Sequence, residues 1–76
     1  MQQLERITID PEVMGGRPCV RGYRLTVGII VGLIAAKHTR EELLAMYPFL
    51  EDEDITQALQ YAAWSSSEHE VPIRRA

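Results

Sequence analysis

Ten consecutive residues, Val27 to Ala36, carry no polar side chain. This run constrains the fold more than any other feature. It is half the roughly 20 residues needed to cross a bilayer as a helix, so a buried helix is the expected outcome. Val27, Ile30, Val31, Leu33 and Ile34 cover most directions around a helical cylinder, which calls for cover on several sides. Gly28 and Gly32 are four apart and share one face, and each costs about 1 kcal/mol of helix stability relative to alanine. The usual compensation is close approach of another backbone, here either an N-terminal arm folding over or a partner subunit. With only 76 residues, a single domain has a marginal core, and a homodimer is expected on size alone.

The flanking residues set the remaining elements. Ile7-Thr8-Ile9 is β-branched and ends at Asp10-Pro11, which predicts a short strand and a turn. Gly15-Gly16 marks a loop, and Pro18-Cys19-Val20 predicts a second short strand closed by Gly22. Residues 6–25 therefore form a loose, hairpin-like arm. Thr26 caps a first helix over Val27–Ala36. Thr39-Arg40-Glu41-Glu42 has the form of a capping box, opening a second helix from Arg40 to about Met46 that Pro48 terminates. Asp52 is the expected N-cap of a third helix, from about Glu53 to Ala63. There Ile55, Ala58, Leu59 and Ala62 make an apolar stripe, and Glu53 and Asp54 suit the helix dipole. Ser65-Ser66-Ser67 breaks the pattern. The fold class is mainly α: a three-helix, helix-turn-helix-like core of homeodomain or winged-helix type behind a short N-terminal β arm. Residues 1–66 form the domain, with the arm at about 5–25, and residues 67–76 a polar tail.

Charge separates along the chain. Residues 1–40 hold six basic side chains against three acids, and residues 41–76 hold two against eight, for a total of −3. A basic front and an acidic back predict two different contact surfaces. The lone Cys19 forms no internal disulfide and, with only two histidines, no zinc framework. A small buried thiol in a reducing compartment fits it best. The N-terminus lacks the basic-then-apolar pattern of a signal peptide. A cytoplasmic chain that touches no membrane, metal or cofactor is the expectation.

Several motifs occur in order: Ile7-Thr8-Ile9-Asp10-Pro11, Gly15-Gly16-Arg17-Pro18, Val20-Arg21-Gly22-Tyr23-Arg24, Glu41-Glu42-Leu43-Leu44, Tyr47-Pro48 with Leu50, and Glu53-Asp54-Ile55 leading to Ala58-Leu59 and Tyr61-Ala62. Over about residues 5–63 the series resembles the bacterial domain-of-unknown-function family four-three-three (DUF433). The resemblance implies a trihelical core behind a β arm and the role of a predicted antitoxin. The implied partner is a PIN-like ribonuclease toxin encoded alongside, with operator DNA bound by a dimer. Three positions depart from the family pattern. Tyr23 stands where threonine is common, Lys37 or His38 where a glycine ends the first helix, and Glu51 where threonine or serine precedes the third.

Candidate site residues fall into two groups. Arg17, Arg21 and Arg24 of the arm either contact DNA phosphates or acids on a partner, or anchor the arm to the acidic back half. Gln57 and Gln60 on the third helix could read base edges, with Arg40 adding charge. That helix holds no lysine or arginine and starts with acids, which repel phosphate. Trp64, Val71, Ile73, Arg74 and Arg75 form the second group, a terminal peptide that orders on a partner. A tail arginine could plug the carboxylate cluster of a PIN-like nuclease. The competing picture is a disordered end with Trp64 laid on the third helix. No nucleophile, base and oxyanion donor occur together, so the chain reads as no enzyme. The two live functions are a non-enzymatic antitoxin-like module and a stand-alone helix-turn-helix transcriptional regulator.

Overall fold

The computed structural model describes residues 4–67. Two short strands, β1 (Ile7–Thr8) and β2 (Cys19–Val20), are followed by helices α1 (Val27–Ala35), α2 (Arg40–Met46) and α3 (Asp52–Ser67). The molecule is mainly helical, with a two-stranded antiparallel sheet before three helices. The strands pair Ile7 with Val20 and Thr8 with Cys19, and a single turn of 3₁₀ helix at Met14–Gly16 shapes the connection.

The arm is not loose. Cys19 and Val20 on β2 are 1% and 0% exposed, so the arm contributes to the core itself. The chain then doubles back: Val20 N–H donates to Leu25 O (3.0 Å), Val27 N–H donates to Pro18 O (2.9 Å), and Cys19 bridges Thr26. The reversal is a tight turn in which Tyr23 N–H donates to Val20 O at 2.8 Å, with Arg21 at φ +44° and Gly22 at φ +77°. Two consecutive positive φ values suit glycine at the second position, whereas Arg21 bears steric strain at the first.

Side chains from β2, the three helices and the turns before α1 and α3 close the core: Val20, Leu25, Val27, Ile30, Leu43, Leu50, Ile55 and Ala58, with the half-buried Ile7 of β1 packed against them. Each large aliphatic buried there contributes about 1.5–3 kcal/mol. Helix α1 packs mainly on α3.

The helix ends follow local chemistry. Thr26 Oγ1 accepts from Ile29 N–H at 3.1 Å to cap α1. At the other end, His38 N–H donates to Leu33 O and Lys37 N–H to Ile34 O, both 3.0 Å, with Lys37 at φ +77°. That is a Schellman closure with lysine in the left-handed position usually given to glycine. The capping box of α2 forms as expected, Thr39 and Glu42 bonding reciprocally. Tyr47 is forced extended ahead of Pro48, and Leu50 N–H donates to Tyr47 O at 2.9 Å to close the turn into α3.

Two helix expectations need correction. The third helix begins at Asp52, and its cap sits one residue earlier than expected. Glu51 N–H donates to Asp54 Oδ2 at 2.8 Å while Asp54 N–H donates to Glu51 O at 2.9 Å. Asp54, not Asp52, therefore supplies the capping carboxylate, reaching back from the third helical position. The helix also runs through Ser65-Ser66-Ser67. Serine costs only a few tenths of a kcal/mol in a helix, too little to stop one already propagating.

Candidate functional site

Asp54 is the electrostatic centre of the structure. Its side chain is fully buried, and four donors converge on it. Arg21 Nε lies 3.0 and 3.2 Å from its two oxygens and Arg21 Nη2 lies 2.8 Å from Oδ2. Arg6 Nη1 donates to Oδ1 at 3.0 Å, and Glu51 N–H is the fourth donor. Burial alone pushes the Asp54 carboxyl up. The Arg21 fork, the Glu51 N–H and Arg6 together outweigh it and hold the group below its ordinary value. The bond to Asp54 raises Arg21 above the usual arginine range, and the bond to Glu51, then that to Asp54, does the same for Arg6.

This network decides the role of Arg21. Its fork grips Asp54 side-on, and Nη2 also donates to Phe49 O at 2.7 Å. The Tyr23 ring stacks on Phe49 at 4.0 Å and 18°, and the guanidinium lies 5.3 Å from the Tyr23 centroid. Of the two alternatives for Arg21, anchoring the arm to the acidic half is the one the geometry displays. The strain of its left-handed backbone is offset by these charge-assisted bonds.

Arg40 is committed similarly. Its Nε donates to Asp52 Oδ1 at 2.8 Å, and Nη2 donates to Asp52 O at 3.0 Å and to Thr56 Oγ1 at 2.6 Å. It ties the start of α2 to the start of α3, and the bond holds the Asp52 carboxyl below its ordinary value. Gln57 is 7% exposed and accepts the Arg6 N–H at 2.9 Å. It fastens the arm to α3, and its burial corrects the expectation that it faces outward to read a base edge. Gln60 is half-buried, with its Oε1 enclosed and unbonded among the described residues. Trp64 is 37% exposed and tilts against Tyr61 with ring centroids 5.7 Å apart. Val71, Ile73, Arg74 and Arg75 lie outside the described residues.

Arg17 and Arg24 are different. Both are exposed, and neither side chain makes a hydrogen bond or ion pair among the described residues. Arg17 lines an open groove of about 420 Å³ together with Pro18, Thr26, Gly28 and Ile29, at the N-terminal end of α1. The groove continues onto an apolar surface that the fold leaves in water. Of α1, only Val27 and Ile30 are buried, while Gly28, Ile29, Gly32 and Ala35 are exposed. The arm does not cover the glycines: among the described residues a Cβ on Gly32 would meet nothing within 4 Å, and one on Gly28 only the Thr26 hydroxyl at 3.9 Å.

Among the described residues no three histidine, cysteine, aspartate or glutamate side chains are grouped to hold a metal ion. No helix there is long and apolar enough to cross a membrane. Cys19 is buried, its thiol 3.3 Å from Arg17 O.

The same ordered segment, residues 7–62, matches the family model described as "Protein of unknown function (DUF433)". The chain belongs to the DUF433 family. A crystal structure of a DUF433 member from Anabaena variabilis ATCC 29413 superimposes with a TM-score of 0.77 at 33% identity, covering 83% of this chain and 62% of that one. An uncharacterized protein, y4eO, of Sinorhizobium fredii (strain NBRC 101917 / NGR234) is 40% identical over 58 residues, 76% of this chain. The chain spans about a quarter of that relative's length, 26%. The three departures from the DUF433 pattern each have a structural counterpart. Tyr23 stacks on Phe49, Lys37 occupies the left-handed closure of α1, and Glu51 lends its backbone N–H to Asp54.

Arg6 carries the site without having stood out in the sequence, and Glu51 stood out only as a departure from the family pattern, not as a partner of the arm. Arg6 meets Asp54 across 48 positions, and nothing local signals such a pair. Asp54 reads from the sequence as an outward acid suited to the helix dipole, and the structure corrects this: it lies four residues before Ala58, on the stripe that faces the core, and is fully buried.

Proposed function

We propose that this chain is a non-enzymatic, antitoxin-like module of the cytoplasm that binds and neutralises a PIN-like ribonuclease. The toxin partner comes from the resemblance. The observation that carries the choice of a protein partner over DNA is how the structure uses its cations. Arg6, Arg21 and Arg40 are held by Glu51, Asp54 and Asp52. These arginines gather around the start of α3, where the exposed Glu53 and Asp52 still present negative charge. Phosphate attraction dominates affinity for DNA, and α3 offers it none. Helices α2 and α3 are read as a helix-turn-helix-like unit whose contact with operator DNA requires the partner or a second copy to add positive charge. The exposed apolar side of α1 is a surface suited to protein.

In this reading Trp64 and the tail residues Val71, Ile73, Arg74 and Arg75 bind the nuclease. A tail arginine enters its carboxylate cluster in place of metal and phosphate. The test is cleavage of a short RNA by the product of the adjacent gene, titrated with the full chain and with a chain ending at Ser67. Stoichiometric inhibition by the full chain, weakened by truncation, is the expected result. No inhibition, with tight binding of the promoter duplex by the chain alone, establishes the transcriptional regulator instead.

A further inference from the structure

We infer that the groove beside Arg17 and the open side of α1 form the docking surface for one apolar helix of the partner, a helix that carries carboxylates near its two ends. The inference rests on the antitoxin reading and adds to it the surface and the chemistry of the contact.

Three observations converge. The first is composition: a helix on a protein surface ordinarily turns polar residues outward, whereas α1 turns out Gly28, Ile29, Gly32 and Ala35. The second is shape. Among the described residues nothing stands over Gly32, and the absence of a side chain there gives nothing to their packing while lowering the helix's stability. A second helix seated on this track could bring its backbone close. The third is charge. Every basic side chain near the acidic start of α3 is paired, and the three left unpaired among the described residues are Arg17, Arg24 and Lys37. Arg17 stands at the groove, and Lys37 follows the far end of α1, a helix of nine residues and about 14 Å in length. Among the described residues no carboxylate lines the groove. An apolar track with a cation at each end selects an apolar helix with an anion at each end.

The charge pattern also selects against a second copy. Antiparallel pairing of two α1 helices about Gly32 brings Arg17 of one toward Lys37 of the other, like charges with no groove carboxylate between them. DNA fits less well still, because the surface between the cations is apolar.

The experiment measures affinity of the full chain for the adjacent-gene nuclease, made catalytically inactive, alongside sedimentation of the chain alone. The variants are Gly32→Leu, which fills open space and should leave folding intact, and the pair Arg17→Glu with Lys37→Glu. Circular dichroism verifies each fold, and Glu53→Gln serves as a control on the opposite charge surface. Each test variant is expected to weaken binding at least about tenfold, as loss of a contact central to an interface does. The charge-reversed variant should also lose the wild type's salt dependence. If the wild type binds and all variants bind equally, the docking surface is wrong while the antitoxin reading survives. If the wild type does not bind, both fall. If the chain sediments as a dimer that Gly32→Leu splits, the surface belongs to a second copy and the inference is overturned. It is likewise overturned if charge reversal lowers affinity for the promoter duplex and leaves the nuclease contact unchanged.

Discussion

Replacing Asp54 with alanine is the sharpest perturbation of the stability account. The carboxylate is fully buried and receives the Arg21 fork, Arg6 Nη1 and Glu51 N–H. Its removal strands those donors, and breaking a buried pair in this way typically costs about 3–5 kcal/mol. The Arg21 and Arg6 side chains are 30% and 28% exposed. Both can recover some water, which places the loss at the lower end, about 3 kcal/mol. A domain this small has a total stability of only about 4–10 kcal/mol. The variant should therefore lose about 30% of it or more, and its Tm should fall by about 12–24 °C. Urea and thermal unfolding followed by far-ultraviolet circular dichroism give the measurement. A loss under about 0.5 kcal/mol, the range of ordinary surface substitutions, would refute the reasoning. Asp54→Asn adds a test of sign. A carboxyl held below its unfolded value, 3.8, contributes stability that is complete above that pH and is lost as pH falls through the folded value. The gap between wild type and Asp54→Asn should thus be widest at neutral pH and narrow below about pH 4.

Further predictions concern single residues. Lys37→Gly relieves a left-handed lysine and should stabilise the chain by about 1 kcal/mol in urea unfolding, where a destabilisation would contradict the Schellman closure. Thr39→Ala removes one side of the α2 capping box and should cost about 1 kcal/mol; no measurable loss would show that the box is incidental. Ile30→Ala should cost about 2–5 kcal/mol. Its neighbour Ile29, 40% exposed, should lose under about 1 kcal/mol on the same change, and equal losses would mean α1 is turned differently. Gly32→Ala should stabilise the isolated chain by about 1 kcal/mol, read as a raised urea midpoint, because nothing stands where its methyl group would go.

The sequence made local features readable and long-range ones obscure. Thr26, the Thr39–Glu42 box and Pro48 acted where expected, because capping and proline geometry depend on neighbours within four residues. The ends of α3 were harder to place. The cap depended on Asp54 reaching back to Glu51, and the tri-serine had little power against an established helix. The arm was least legible. Its attachment runs from Arg6 and Arg21 to Asp54 and Gln57, pairs 33 to 51 positions apart. From sequence, an arginine beside a turn reads equally as a phosphate contact or an anchor, and only the position of a buried acid separates the two. The glycines of α1 pointed to a close neighbour, and among the described residues none is present at Gly32.

In the proposed reading this chain recognises protein, and three of its five described arginines, Arg6, Arg21 and Arg40, are tied into its own fold. Titrating the purified full chain against both the adjacent-gene nuclease and its own promoter duplex, over a range of salt, tests it most directly. The account predicts stoichiometric binding of the nuclease with loss of RNA cleavage. By itself the chain should bind the duplex no more tightly than ordinary non-specific contacts, with Kd around 10⁻⁴ to 10⁻⁶ M at physiological salt. Tight, sequence-specific duplex binding by the isolated chain with a steep salt slope, and no binding of the nuclease, would contradict it.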